Sequence, residues 1–341
     1  MNTLFRWLVG LGVLVVAFVV AAIWVAIPPS QLPAIYHADD CQQIAVIDPV
    51  TQQRLVGIED LALSSGGQLL LSAYDRSAGD DFVGGIYSVS LFGLTGGGQV
   101  RATLLSNGEE QRVAFRPHGI SLSRGGDRLA VINRFAPGEA RIEVGDLTPD
   151  GWIVDRRISG ERLCRANDLF LIGGRRDEMN ITLDREDCTA SMRDLKPGST
   201  TGKLGFFDGT HFEISRVRLS FPNGVAGPYI AETREDRILR PGAAPIALPG
   251  APDNMNLDDE DRLIVAVHPK LSQLFLYREG LVDIAPTRLL RVDTTTGGID
   301  VLFDDPSGQV FSAATSAVFR DGILVAGSVQ DHGLLVCRKA R

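Results

Sequence analysis

The chain has 341 residues, of which 44% are hydrophobic and 22% charged, with a formal charge of −8 and a sequence pI near 5.2. That length suits one large domain or two small ones, and the composition is ordinary for a globular protein. The acidic balance, with no Lys/Arg cluster to offset it, excludes nucleic acid as a partner and leaves oligomeric state open.

The first predicted element is N-terminal. From Trp7 to Ile27 there are 21 residues without a charge, rich in Leu, Val, Ala and Phe. That length spans a bilayer core, so residues 1–30 read as a signal anchor with a transmembrane helix over 7–27. Arg6 precedes the segment and Asp39 is the next charge, which places residues 31–341 on the extracytoplasmic side of a membrane. A cleaved signal peptide, using the small residues Ala21 and Ala22, is the rival reading.

Four cysteines fit an exported protein. Cys41 follows the apolar segment and Cys337 lies near the end, so a bond between them would join the start of the folded region to its finish. Cys164 and Cys188 form the natural second pair, although four cysteines allow three connectivities and buried free thiols are the alternative.

Past residue 40, short runs of Val, Ile, Leu, Phe and Thr alternate with Gly, Asp, Asn and Pro, the chemistry of strands and turns. The runs recur. Ile58 to Leu63 is followed by Ser-Ser-Gly-Gly and Gln68 to Ser72. His118 to Leu122 is followed by Ser-Arg-Gly-Gly-Asp and Arg128 to Ile132. Asp253 to Leu257 is followed by Asp-Asp-Glu-Asp and Arg262 to Ala266. Weaker copies begin at Asn167 and Asn223, and a sixth runs from Ser316 to Ala326. Each copy predicts a β-hairpin. Six hairpins over about 300 residues give roughly 50 residues per unit, the size of a four-stranded propeller blade. The expectation is therefore all-β: a six-bladed propeller with four-stranded blades, closed by a Cys41–Cys337 seam. A β-sandwich, the alternative, does not explain six units with like residues at like places.

The polar signatures that head these hairpins are Glu59-Asp60, Pro117-His118-Gly119, Asn167-Asp168, Pro222-Asn223-Gly224 and Asp253-Asn254. Side chains in like positions of successive blades converge on one axis. Glu59, Asn167, Asn223, Asp253 and Asn254 would supply five oxygens, the donor type calcium accepts. Asp60 and Asp168 follow their neighbours directly, so strand alternation sends them to the opposite side. There they could hold a second, deeper ion with the backbone carbonyl of Ile120. Zinc is disfavoured, because neither His nor Cys is grouped at metal spacing. His118 sits at the same blade position as the ligand set and is the candidate general base. Singly, each signature also reads as a turn dipeptide or a solvated surface.

With these motifs in view, the chain resembles the paraoxonase/arylesterase family, within a wider group of calcium-dependent six-bladed lactonases that includes the gluconolactonases. The resemblance rests on Gly57-Ile58-Glu59-Asp60-Leu61, Pro117-His118-Gly119-Ile120-Ser121, Asn167-Asp168-Leu169, Pro222-Asn223-Gly224, Asp253-Asn254 and His268-Pro269. The terminal cysteines and Gly327-Ser328-Val329 add to it, as does the apolar N-terminus. It implies a catalytic calcium on Glu59, Asn167, Asn223, Asp253 and Asn254, and a structural calcium on Asp60, Asp168 and the Ile120 carbonyl. It implies lactone hydrolysis with aryl-ester cleavage as a side activity, and His268 at the substrate pocket wall. Calcium polarises the carbonyl and a histidine takes a proton from the attacking water.

The chain departs from the family pattern at Val131-Ile132-Asn133-Arg134-Phe135, where a second histidine is expected. Arginine cannot accept a proton, and a guanidinium beside His118 depresses its pKa. A further departure is Thr182-Leu183-Asp184-Arg185 in place of an Asn-Asp-His run. These differences keep a second reading in play: a non-catalytic, calcium-stabilised propeller that binds a ligand or partner protein.

Overall fold

Short apolar runs bounded by turn residues pair locally, and the outcome is six mainly antiparallel sheets arranged as the blades of a propeller. The computed structural model describes residues 27–79, 83–108, 111, 113–160, 162–173, 176–185, 188 and 198–339. After the seam strand β1 (Cys41–Ile47), blade I comprises β2 (Ile58–Leu63), β3 (Gln68–Ala73), β4 (Gly85–Ser90) and β6 (Thr103–Leu104), while β5 (Gln99–Arg101) pairs back onto β1. Blade II is β7 (Pro117–Leu122), β8 (Arg128–Ala136), β9 (Glu139–Thr148) and β10 (Gly151–Ile158). Blade III is β11 (Ala166–Leu171), β12 (Met179–Leu183), β13 (Lys203–Phe207) and β14 (Phe212–Ile214). Blade IV is β15 (Pro222–Ala226), β16 (Tyr229–Glu232), β17 (Arg237–Leu239) and β18 (Ile246–Ala247). Blade V is β19 (Ala251–Leu257), β20 (Leu263–His268), β21 (Thr287–Val292) and β22 (Ile299–Asp305), with helix α1 (Leu271–Arg278) between β20 and β21.

Blade VI takes β23 (Ala314–Arg320), β24 (Ile323–Ser328) and β25 (Leu334–Arg338) from the end of the chain and β1 from its start. Cys41 and Cys337 are register partners across β1 and β25, and the two are disulfide-bonded. Cys164 and Cys188 form the second disulfide, so both expected pairs are present.

The expectation of a membrane-spanning helix before the propeller is corrected, and with it the membrane anchoring and the localisation drawn from it. Among the described residues no helix is long and apolar enough to cross a membrane. The α-helix α1 has eight residues, and at about 1.5 Å per residue it covers less than half of a hydrocarbon core. Residues 1–26, on which the expected span falls almost entirely, lie outside the described residues.

The core sits between blades rather than within one. Ala62, Leu70 and Ile86 of blade I pack with Ile120, Leu129, Val131 and Trp152 of blade II. Ile132, Ile142 and Val144 of blade II meet Leu169, Met179 and Ile181 of blade III. The apolar residues on one face of a strand serve one interface and those on the other face serve the next, so strands buried on both faces read as continuous apolar runs. Blades III and IV are tied by polar contacts: Thr182 Oγ1 donates to the Asn223 carbonyl, and the Val225 N–H donates to Asp168 Oδ2 at 2.8 Å.

Candidate functional site

The innermost strands β2, β7, β11, β15, β19 and β23 share one irregularity. Each loses register with its neighbour at its polar signature: between Ile58 and Asp60, Pro117 and Ile120, Ala166 and Leu169, Pro222 and Val225, Pro252 and Met255, and Ala314 and Ser316. Two residues oppose one, which is a β-bulge, and a bulge re-aims the side chain it carries. The first residues of the six bulges are Glu59, His118, Asn167, Asn223, Asp253 and Thr315. All six are buried and line one cavity of about 450 Å³ at the upper end of the channel. Glycine follows His118 and Asn223 because the next blade passes too close for a side chain. A Cβ on Gly119 would lie 2.6 Å from the Asn167 carbonyl oxygen, and one on Gly224 would lie 2.5 Å from that of Asp253.

Within the upper cavity the acceptors outnumber the protein donors. Glu59 Oε2, Asn167 Oδ1 and Asn223 Oδ1 are buried without a hydrogen-bond partner, and so is Asn254 Oδ1, which is outside the cavity lining. Asn254 is only 1% exposed and reaches across the channel, where its Nδ2 donates to the Glu59 carbonyl at 3.3 Å. Asp253 differs, since His268 Nε2 lies 2.6 Å from its Oδ2. His268 thus lines the cavity and also orients a carboxylate. Four orphaned oxygens from four blades, one of them anionic, are what a hard cation with oxygen preference would satisfy. The donor chemistry therefore fits calcium. Because most of the donors are amides, no group of three or more His, Cys, Asp or Glu is arranged for a metal among the described residues.

His118 Nδ1 stands 2.9 Å from Arg76 Nη2 and 3.1 Å from Glu59 Oε2, while its Nε2 is buried without a partner. Burial lowers its pKa to about 4, helped by the Arg134 and Arg76 guanidiniums against the opposing pull of Glu59. The ring is neutral at pH 7. Burial works against the Glu59 charge, but His118, Arg76 and Arg134 outweigh it and hold the carboxyl at about 2. Arg134 lines the same cavity and donates from Nη2 to the Ala166 carbonyl at 2.8 Å. Burial brings its pKa down to about 10, which leaves it a cation.

The second bulge residues of blades I and III, Asp60 and Asp168, face the other way. Asp60, Asp168 and Ile120 line a separate cavity of about 550 Å³ at the lower end of the channel. Here the carboxylates are satisfied by backbone. Asp60 accepts from the Leu61 and Ile120 N–H groups, each at 2.8 Å. Asp168 accepts from the N–H groups of Leu169 at 2.7 Å and Val225 at 2.8 Å. Each Asp clasps its own blade to the next. Burial raises both carboxyls well above the usual range, with further repulsion from Glu59 on Asp60 and from Asp60 on Asp168.

Three features escaped the sequence reading. Thr315, the first bulge residue of blade VI, donates from Oγ1 to the Glu59 carbonyl at 2.7 Å, although the repeat had been read only from Ser316. No tight turn adjoins Thr315, the second residue of β23, to mark it in the chain. Arg76 lies in the loop after β3, where no periodicity marks it. Asp184 and Arg185 enter the cavity as an ion pair at 3.1 Å, from the stretch noted only as a departure from the family pattern.

No protein-family model matches the chain, and no curated protein matches it. Solved structures do. A structural-genomics protein of unknown function from Bacteroides thetaiotaomicron shares 9% identity at a TM-score of 0.55, covering 87% of this chain and 74% of that one. A candidate gluconolactonase shares 13% identity at a TM-score of 0.50, covering 91% and 95%. A gluconolactonase from Xanthomonas campestris shares 16% identity at a TM-score of 0.49, covering 92% and 99%. At such identities the likeness establishes the fold alone: this chain is a six-bladed β-propeller, and the paraoxonase kinship expected from its motifs is not shown by these neighbours.

Proposed function

We propose that this protein is a calcium-dependent hydrolase of ester bonds, acting on lactones and aryl esters, with the paraoxonase-like arrangement that its signatures suggest. The observation that carries the reading is the set of orphaned oxygens of Glu59, Asn167 and Asn223 around one cavity, together with the orphaned oxygen of Asn254. With Asp253 they make five oxygen donors for the ion. Bound calcium would draw the substrate carbonyl oxygen and stabilise the charge that develops on it. The gluconolactonases among the structural neighbours are consistent with this chemistry.

The chain's own residues supply the proton handling. Hydrolysis forms a bond from water to the acyl carbon, breaks the acyl C–O bond and delivers a proton to the leaving oxygen. To take a proton from water, His118 must present a bare Nε2 to the cavity. Its N–H then sits on Nδ1, 3.1 Å from Glu59 Oε2, which holds the ring and stabilises its charged form. When Arg76 instead donates to Nδ1, the proton sits on Nε2 and His118 becomes a donor. Asp60 and Asp168, with Ile120, are the proposed support for a second ion, whose charge would relieve the repulsion between two buried carboxyls.

The test is hydrolysis of aliphatic lactones and phenyl acetate with calcium and with chelator. Turnover that is lost in chelator and in His118→Gln is expected, and activity indifferent to both overturns the reading. The second reading, a calcium-stabilised propeller without catalysis, is favoured by Arg134 and by the Arg76 contact to His118. It predicts a melting temperature lowered by chelator while no ester or lactone is turned over.

A further inference from the structure

The unsatisfied polar groups of the upper cavity fall into two sets. The acceptors of Glu59, Asn167 and Asn223 call for a cation. The second set is a donor on blade II: Arg134 Nε is buried without a partner. A cation cannot satisfy it. The charges point the same way. Among the described residues, five arginines line this cavity. Glu59 and Asp253 are enough to balance a divalent ion, which leaves Asp184 and Glu279 as the remaining carboxylates of the lining, and Asp184 is already bonded to Arg185. Arg278, exposed at the end of α1, is close enough to repel both Arg76 and Arg134. Three guanidiniums thus line a space that also has an apolar wall, formed by Leu271, Leu274 and Phe275 of α1. Planar guanidinium forks match a carboxylate in charge and geometry.

We propose that the upper cavity takes an ester or lactone that also carries a carboxylate, held by Arg134 and Arg76 beside the cation-binding bulges. This names the substrate class of the hydrolase reading and rests on it for the reaction, though not for the binding. The carboxylate accepts from the Arg134 fork, the scissile carbonyl lies toward Asn167 and Asn223, and the hydrocarbon part lies against α1.

The experiment compares γ-butyrolactone with the same ring bearing a carboxylate, using the full chain with calcium. The acid is expected to exceed the neutral lactone in kcat/KM by at least about tenfold. The acid-to-neutral ratio should fall about tenfold in Arg134→Gln and about threefold in Arg278→Gln, a surface variant that keeps the test alive should the first fail to fold. A wild-type ratio at or below one, or a ratio unmoved in both variants, overturns the proposal while leaving the hydrolase reading standing. If neither lactone is turned over, the hydrolase reading fails and binding decides the proposal separately. Calorimetric titration with tetrahydrofuran-2-carboxylate and with tetrahydrofurfuryl alcohol then supplies the readout. Binding of the acid at least about tenfold tighter, and weakened by either arginine substitution, supports it. Equal binding of acid and alcohol, or acid binding that chelator abolishes but neither substitution changes, overturns it.

Discussion

The two ends of the channel are built from the same six bulged strands, yet they treat buried oxygen in opposite ways. At the lower end, Asp60 and Asp168 each accept two backbone N–H groups, and their carboxylates lock neighbouring blades together. At the upper end, the side-chain oxygens of Asn167 and Asn223 have no donor, and Glu59 Oε2 has only the His118 ring beside it, at 3.1 Å. An oxygen one residue along the strand is thus structural in one direction and unsatisfied in the other. A buried acceptor left unmade costs about 1–3 kcal/mol, so such oxygens gathered at one place mark a site that something else completes.

Calcium removal tests this difference most strongly. Chelation is expected to abolish turnover, and at a thousandfold saturation it removes about 4 kcal/mol of linkage stabilisation, a drop in melting temperature of roughly 6 °C for a domain of this size. Scanning calorimetry with and without calcium, alongside the lactonase assay, checks both effects. An unchanged melting temperature would mean that the upper oxygens are satisfied in another way. Next in size, His118→Gln is expected to lower kcat by about 10²–10⁴ with little change in melting temperature. Asp60→Asn should do the reverse at the lower end, costing about 1–3 kcal/mol by turning an acceptor of backbone N–H groups partly into a donor, with kcat retained in the folded fraction. Denaturant titration paired with steady-state kinetics separates the two. If Asp60→Asn stops turnover in fully folded protein, the lower end is not merely structural.

The pH response should also split by end. The folded pKa of His118 is lowered from 6.5 to about 4, so the neutral ring contributes stability above pH 6.5 that is lost as pH falls toward 4. Activity that needs the neutral ring should hold down to about pH 5 and then fall. The carboxyls of Asp60 and Asp168 are raised, so in chelator their contribution is fully present below about pH 3.8 and is lost as pH rises through their folded pKa values. Melting curves in chelator from pH 7 to pH 4, compared with the same series for an Asp60→Asn variant, read the lower-end contribution. A series that is identical for both proteins would contradict it. The smallest effect expected is for Thr315→Val, which loses one hydrogen bond to the Glu59 carbonyl and about 1 kcal/mol by denaturant titration.

Much of the architecture could be read from the chain. Hairpins at Ile58, His118, Asn167, Asn223, Asp253 and Ser316 correspond to the first two strands of the six blades, because turn residues and apolar runs act over a few positions. The seam disulfide followed from closure, since β1 completes the blade that ends with β25. The expected N-terminal span was read from hydropathy alone, and among the described residues no helix carries it.

The candidate site was legible only in part, for a physical reason. Residue types at the signatures announced oxygen donors and one histidine. Which of those oxygens lack a donor depends on strands far apart in sequence, as with Asn254 reaching the Glu59 carbonyl across 195 residues. The bulges that aim six side chains at one cavity arise from pairing registers, which no single strand encodes. Arg76, just after β3, stands 2.9 Å from His118 Nδ1, and nothing local in the chain sets that approach. Local patterning determined the blade count, the closing cysteines and the chemistry on offer. The tertiary structure decided which oxygens are clasped, which await a cation, and that a cluster of arginines stands beside them.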